Sequence, residues 1–397
     1  MADKNGRSES KVFLAFVSDP ESEKVLASLP YGEYDLQPVI MRGDADAAFQ
    51  YLQQNRSPRI LLVDLSKSQL PVSDVSKLAE VCEPGVEVIT IGQSNDVAVF
   101  RGLIGLGVRD YIVKPLSEGL VIRNINSIIT GNTTQKTTNF MNSGKLVTFL
   151  GARGGVGVSS LMANCAWLLS ETFHKRVHLM DMNFYAGSLC YFFDLSPTHG
   201  LIELLSTTDP VDVSVVDKAF VSYAERLTLT TAQLGFHEEF SPNTHTLKQT
   251  FDFLCQQSHY AMIDFPRNYN PDLMKYVLGE SHVVVIVCDL TFFSVRDTVR
   301  YIELARSVAH SQQRIMVVAN RVGEYKKGEF ALKTFEDVVH HPVDALVPFD
   351  PIVPLEALNK GVVAASTEGG AFTKGVTTFA QALVGREAPK KKKGLFW

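Results

Sequence analysis

The sequence predicts an α/β protein made of two doubly wound parallel-sheet domains. Short β-rich apolar runs alternate with helix-patterned segments, and they do so in two separate series along the chain. A polar stretch without periodicity divides the two series, and a glycine-rich turn follows the first strand of the second. A chain of 397 residues is long for one ordinary domain and suits two.

In the first series the strand-like runs are residues 11–17, 60–64, 86–91 and 111–113. Residues 130–144, with repeated Thr and Asn, form the expected linker. The second series has runs at 145–150, 176–181, 226–231, 260–264, 282–288, 314–319 and 345–347. Seven candidate strands separated by helical patterns make a large sheet. Domains are therefore expected over 1–129 and 145–387, with a tail of different composition at 388–397.

Hydrophobic residues make up 45% of the chain and charged residues 20%, an ordinary globular balance. The net charge of -5 gives no basic domain, so no nucleic-acid partner is expected. The five cysteines (Cys82, Cys165, Cys190, Cys255, Cys288) form no Cys-x-x-Cys pair and fall mostly in apolar runs. They are expected to be reduced core residues. Residues 1–9 lack an apolar signal region, and the longest apolar run, 282–288, is too short to span a bilayer. A soluble, cytoplasmic protein is the expectation.

The run at 145–150 enters Gly151-Ala152-Arg153-Gly154-Gly155-Val156-Gly157-Val158-Ser159-Ser160, and a helical pattern follows. Glycines let successive N–H groups converge on an anion, and the helix start adds partial positive charge. Ser159 stands where a hydroxyl would ligate Mg²⁺ beside phosphates. The strict P-loop pattern fails twice, since Ala152 replaces its first glycine and Val158 its lysine.

The segment from Arg153 to Ser159 resembles the deviant Walker A motif of the MinD/ParA ATPase family, KGGxGK[ST]. The resemblance implies that ATP and Mg²⁺ are bound by Arg153, Gly154, Gly155, Val156, Gly157, Val158, Ser159 and Ser160. Arg153 takes the place of the lysine that reaches across a nucleotide-sandwiched dimer. Val158 takes the place of the lysine that contacts phosphates in cis, so hydrolysis is expected to be weak or absent.

Further along, Asp181 matches the family's first acid after the second strand, with Asn183 replacing the second. The resemblance makes Asp181 the catalytic acid, if the protein is active, and a metal-shell residue. Tyr260-Ala261-Met262-Ile263-Asp264-Phe265-Pro266 resembles the Walker B strand, with Asp264 toward the metal. Ser294-Val295-Arg296-Asp297 resembles a helix start that borders the family's site. Asn320, followed by Arg321, matches the family's adenine-facing asparagine, both expected to bind nucleotide, and Pro348 with Asp350 a loop that closes over the base.

The first domain resembles a response-regulator receiver. Asp64 stands at the phospho-acceptor position and Lys114-Pro115 at the receiver's Lys-Pro pair. Of the acidic metal-binding pair only Asp19 remains, with Ser18 in the other place, and Gly92 replaces the switch hydroxyl residue. A pseudo-receiver kept for docking or dimerisation is expected.

The tail joins Lys390, Lys391, Lys392 and Lys393 to Gly394-Leu395-Phe396-Trp397. It suits peripheral membrane or partner contact, and also a solvated terminus. The two-domain order resembles TadZ/CpaE-type proteins, which position the secretion machinery of tight-adherence (Flp, type IVb) pili. That resemblance implies a homodimeric, nucleotide-gated scaffold. Its partners would be pilus machinery subunits or a polar landmark, with placement at the inner membrane of a cell pole. An active MinD- or partition-type ATPase and a phosphorylation-responsive regulator stay open as alternatives.

Overall fold

In the computed structural model, residues 12–130, 144–206, 218–267, 270–367 and 369–385 are described. Most of the expected linker and all of the tail lie outside them. The chain divides into two compact units, Met1–Ser143 and Gly144–Trp397.

The first unit contains β1 (Val12–Val17), β2 (Gln37–Arg42), β3 (Ile60–Asp64), β4 (Glu87–Gly92) and β5 (Asp110–Val113). They form a parallel sheet in the order β2-β1-β3-β4-β5. Side chains alternate across it. Leu14, Phe16, Leu61 and Val63 meet the helices Ala45–Gln54, Pro71–Ala79 and Val97–Gly105 on one face. Phe13, Ala15, Ile60 and Leu62 meet Pro20–Ala27 and Glu118–Ile129 on the other.

Strand β2 was not among the expected runs. It lies at the sheet edge, it carries Pro38, and its side chains are mostly outside the core. An edge position tolerates a proline that a central strand would not.

The second unit contains β6 (Lys145–Gly151), β7 (Val177–Asp181), β8 (Val221–Ala224) and β9 (Leu227–Thr230). It continues through β10 (Tyr260–Asp264), β11 (Val283–Cys288), β12 (Arg314–Val322) and β13 (Ala345–Pro348). The order is β13-β12-β11-β6-β10-β7-β9-β8. All pairings are parallel except β8 with β9. The expected parallel sheet is extended at one edge by a short, half-exposed antiparallel strand.

β11, read as Val-Val-Val-Ile-Val-Cys, is buried throughout, as a strand covered on both faces requires. One face packs against the helices Val158–Trp167 and Ala371–Leu383. The other packs against Thr244–Gln257, Pro271–Glu280, Phe292–Val308 and Leu332–Val339.

All five cysteines are buried and free, as expected. Among the described residues no helix is long and apolar enough to cross a membrane. The chain passes from β6 to one side of the sheet and returns across it to β11 on the other. This reversal puts a crevice at the carboxyl ends of β6, β10 and β11, where open α/β sheets take their ligands.

Candidate functional site

β6 ends at Gly151, and the helix Val158–Trp167 begins after a six-residue turn. Gly155 and Gly157 have φ of 73° and 91°, the left-handed region that favours glycine. At Gly157 a Cβ would also lie 2.5 Å from Nδ2 of Asn320. No side chain caps this helix start, so its first N–H groups are left for an anion. A hollow of about 340 Å³ lies over the turn, lined by Arg153–Ser160 together with Asn183, Asp264 and Arg267.

Gly157→Ala is therefore expected to cost about 1–3 kcal/mol from backbone strain alone, with the Asn320 contact in addition. Urea melting reads the loss, and nucleotide titration reads the damaged turn.

Asp264 ends β10 and is registered against Asp181 at the end of β7. The Ser159 hydroxyl donates to the Asp264 carboxylate. Burial, and then the neighbouring charge of Asp181, push the Asp264 carboxyl up to about 7. Burial pushes Asp181 up to about 6, against N–H donors at Asn183, Leu189 and Ser188 that lower it. Two buried carboxylates without a cation hold a proton near neutral pH.

This donor set fits Mg²⁺. A hydroxyl and hard carboxylate oxygens beside an anion cradle leave room for waters and phosphate oxygens. No cluster of three or more His, Cys, Asp or Glu residues that could hold a metal ion is found among the described residues. Asp181 stands one strand behind the hollow, its oxygens accepting from the N–H of Asn183 at 3.0 Å and Leu189 at 3.2 Å.

Arg153 is ion-paired with the buried Asp289, just beyond β11. Burial raises the Asp289 carboxyl, but hydrogen bonds from Arg153, Ser294 and Thr291 outweigh it and hold the group below the usual carboxylate range. In the single chain this guanidinium is thus engaged in cis.

Of the expected base-reading residues, Asn320 and Arg321 bond the carbonyls of the turn, and Pro348 and Asp350 do not. Asn320 and Arg321 lie within β12 and do not follow a strand ending at 319, a correction to the expected boundary. Asn320 is buried, and its amide donates to the Val156 carbonyl at 2.9 Å, bracing the turn from beneath. Arg321 grips Glu324 and lies over the Phe349 ring, 5.3 Å from its centroid. Pro348 ends β13, and Asp350 accepts from Ile352 and Val353 N–H, both at 2.9 Å. None of these four lines the hollow. Arg267 does, and no motif pointed to it; its one sequence signal is its place just after Asp264-Phe265-Pro266.

In the first unit, Asp64 is fully buried at the end of β3. Its Oδ2 accepts from the Ser18 N–H at 2.9 Å, the Ser18 hydroxyl at 2.5 Å and Lys114 Nζ at 2.6 Å. Its Oδ1 accepts from the Ser66 N–H at 2.9 Å. Lys114 also bonds Asp19. Burial raises Asp64, but hydrogen bonds from Lys114, then Ser18 and Ser66, win and hold it at about 2. At Gly92 a Cβ would fall 2.4 Å from the Tyr111 hydroxyl, so that ring fills the space a switch side chain would need.

The fold is similar to that of the ParA and MinD ATPases. The ParA family ATPase of Chlorobium tepidum TLS is similar over 61% of this chain and 99% of its own, at TM-score 0.55 and 20% identity. The septum site-determining protein MinD of Pyrococcus horikoshii OT3, complexed with Mg-ADP, aligns over 60% and 96%, at TM-score 0.51 and 17% identity. Such identities establish the fold alone. The structural neighbours also include the pilus assembly protein CpaE of Caulobacter crescentus CB15, over 30% of this chain and 92% of that one, at 30% identity. Its TM-score of 0.28 carries no argument about shared fold. No family model and no curated protein matches the chain.

Proposed function

We propose that this protein is an ATP-binding localisation and assembly factor for tight-adherence (Flp, type IVb) pilus machinery. On this reading it is a nucleotide-gated dimeric scaffold with weak or no hydrolysis. The observation that carries the nucleotide half is the Gly155–Gly157 turn opening onto an uncapped helix start, with Ser159 bonded to Asp264 beside it. Backbone N–H groups of the turn would hold the phosphates, and Ser159 and Asp264 would hold Mg²⁺. Bound Mg²⁺ would neutralise phosphate charge and orient the β and γ groups.

Val158 argues for recruitment over turnover, because its side chain packs against the apolar core and offers no positive charge. The pilus half is supported by the resemblance of the two-domain order to TadZ/CpaE-type proteins. Dimer bridging by Arg153, machinery subunits or a polar landmark as partners, and peripheral membrane contact through the tail belong to the same proposal.

Calorimetry with Mg-ATP and Mg-ADP, run beside phosphate release, tests the reading. Micromolar binding with negligible release is expected. Val158→Lys is expected to tighten ATP binding by roughly tenfold, the worth of one added charge-assisted contact. Sustained turnover by the natural sequence would replace the scaffold with a working ATPase. Absence of binding would remove the nucleotide half altogether.

A further inference from the structure

We infer that Arg267 supplies, in cis, the phosphate-binding positive charge that Val158 leaves out. This rests on the nucleotide reading above and names a residue within the same site. Arg267 follows the β10 carboxylate, and it lines one hollow with Val158, Ser159 and Asp264. It also lines a second cavity, between the helices Pro271–Glu280 and Phe292–Val308. Its side chain is 38% exposed, and its guanidinium is paired with Asp297.

Three cations adjoin the turn among the described residues: Arg321 donates to the Gly155 carbonyl at 3.3 Å and is held by Glu324, and for Arg153 and Arg267 the cost of release differs. Arg153 is the one cation paired with Asp289 among the described residues, so its release would leave a buried carboxylate with only uncharged donors. Stranding a buried charge is expensive.

Asp297 is arranged otherwise. Besides Arg267 it takes Arg296 through Nε at 2.9 Å and Nη2 at 3.1 Å, and Arg300 at 3.6 Å. Three guanidiniums crowd one carboxylate, and like charges repel. Releasing Arg267 gives up its pair with Asp297 and a charge-assisted hydrogen bond to the Tyr301 hydroxyl, but it leaves Asp297 with two cations. A polyphosphate in the hollow is a better partner for that guanidinium, because it accepts the fork bidentately. Nucleotide binding would draw Arg267 from the second cavity toward the first.

The test measures Mg-ATP and Mg-ADP affinity by calorimetry on the full chain and on Arg267→Ala, Arg267→Lys and the double variant Val158→Lys/Arg267→Ala. Arg267→Ala is expected to weaken both nucleotides by on the order of 10- to 100-fold, the range of a charged hydrogen bond. Its thermal melt without nucleotide is expected to stay near that of the natural sequence, since Asp297 keeps Arg296 and Arg300. Arg267→Lys should recover part of the affinity, and the added lysine at 158 should make Arg267 dispensable. Unchanged affinity in Arg267→Ala overturns the inference and leaves the nucleotide reading intact. Loss that the lysine at 158 does not restore also overturns it, because Arg267 would then act only through local shape. Failure of the natural sequence to bind either nucleotide removes both readings together.

Discussion

Asp64→Ala is expected to destabilise the first unit by about 3–5 kcal/mol, the cost of breaking a buried ion pair from one side. Lys114 would remain largely buried with Asp19 alone, and the Ser18 and Ser66 donors would lose their acceptor. That loss is a large share of the about 5–15 kcal/mol that holds a typical domain together. A urea melt should show the first unit unfolding early, while the second keeps its midpoint.

The pH dependence follows from the same cluster. Asp64 is held at about 2 against an ordinary 3.8, so ionised Asp64 stabilises the folded state by about 2 kcal/mol. A depressed carboxyl gives stability that is fully present above pH ~4 and is lost as the pH falls through ~2. The gap between the variant and the natural protein should therefore narrow by about 2 kcal/mol in strong acid.

The lattice of donors around Asp64 leaves little room for an incoming phosphoryl group, and the Tyr111 ring fills the space beside Gly92. Acetyl phosphate or beryllofluoride is expected to produce no spectral change. A change that vanishes in Asp64→Ala would instead make this unit a working receiver.

How much of this the sequence shows depends on where each residue sits. β3, β10 and β11 are legible because Ile-Leu-Leu-Val-Asp, Tyr-Ala-Met-Ile-Asp and Val-Val-Val-Ile-Val-Cys are buried on both faces, so apolar runs mark them without help from neighbours. The edge strands β2 and β8 give no such signal, although the edge strands β5 and β13 do. β2 and β8 are stabilised by pairing along one side, and their side chains stay half in water. The glycine-rich turn between β6 and the helix Val158–Trp167 was legible because its elements are consecutive in the chain.

Asn320 was found by order along the chain, but its bracing of Val156 depends on β12 lying two strands from β6. Arg267 was invisible for a related reason. An arginine after Asp-x-Pro becomes interesting only when β10 is seen beside β6, which brings it to the hollow of Val158. The engagement of Arg153 by Asp289 likewise joins residues 136 positions apart.

Asp264→Asn is expected to make the nucleotide-free protein more stable at pH 8, although it removes a candidate metal ligand. Burial and the charge of Asp181 push Asp264 up to about 7, roughly three pKa units above its ordinary 3.8. Holding it ionised in the fold thus costs on the order of 4 kcal/mol, a cost it shares with Asp181. A carboxyl raised in the folded state contributes stability that is present below pH ~4 and is lost as the pH rises through ~7. The amide carries no charge to desolvate and can still accept from Ser159.

The variant should therefore melt several degrees above the natural protein at pH 8, and the gap should close only as the pH falls to ~4. Mg-nucleotide reverses the ranking. A divalent cation compensates the buried carboxylates of the natural site, so ligand should raise its melting temperature strongly and that of Asp264→Asn little. An equal or lower melting temperature for the nucleotide-free variant at pH 8 would show that the Asp181–Asp264 pair is already compensated. In that case the site would not hold an excess of negative charge awaiting a metal ion, and the case for Mg²⁺ would rest on Ser159 and the turn alone.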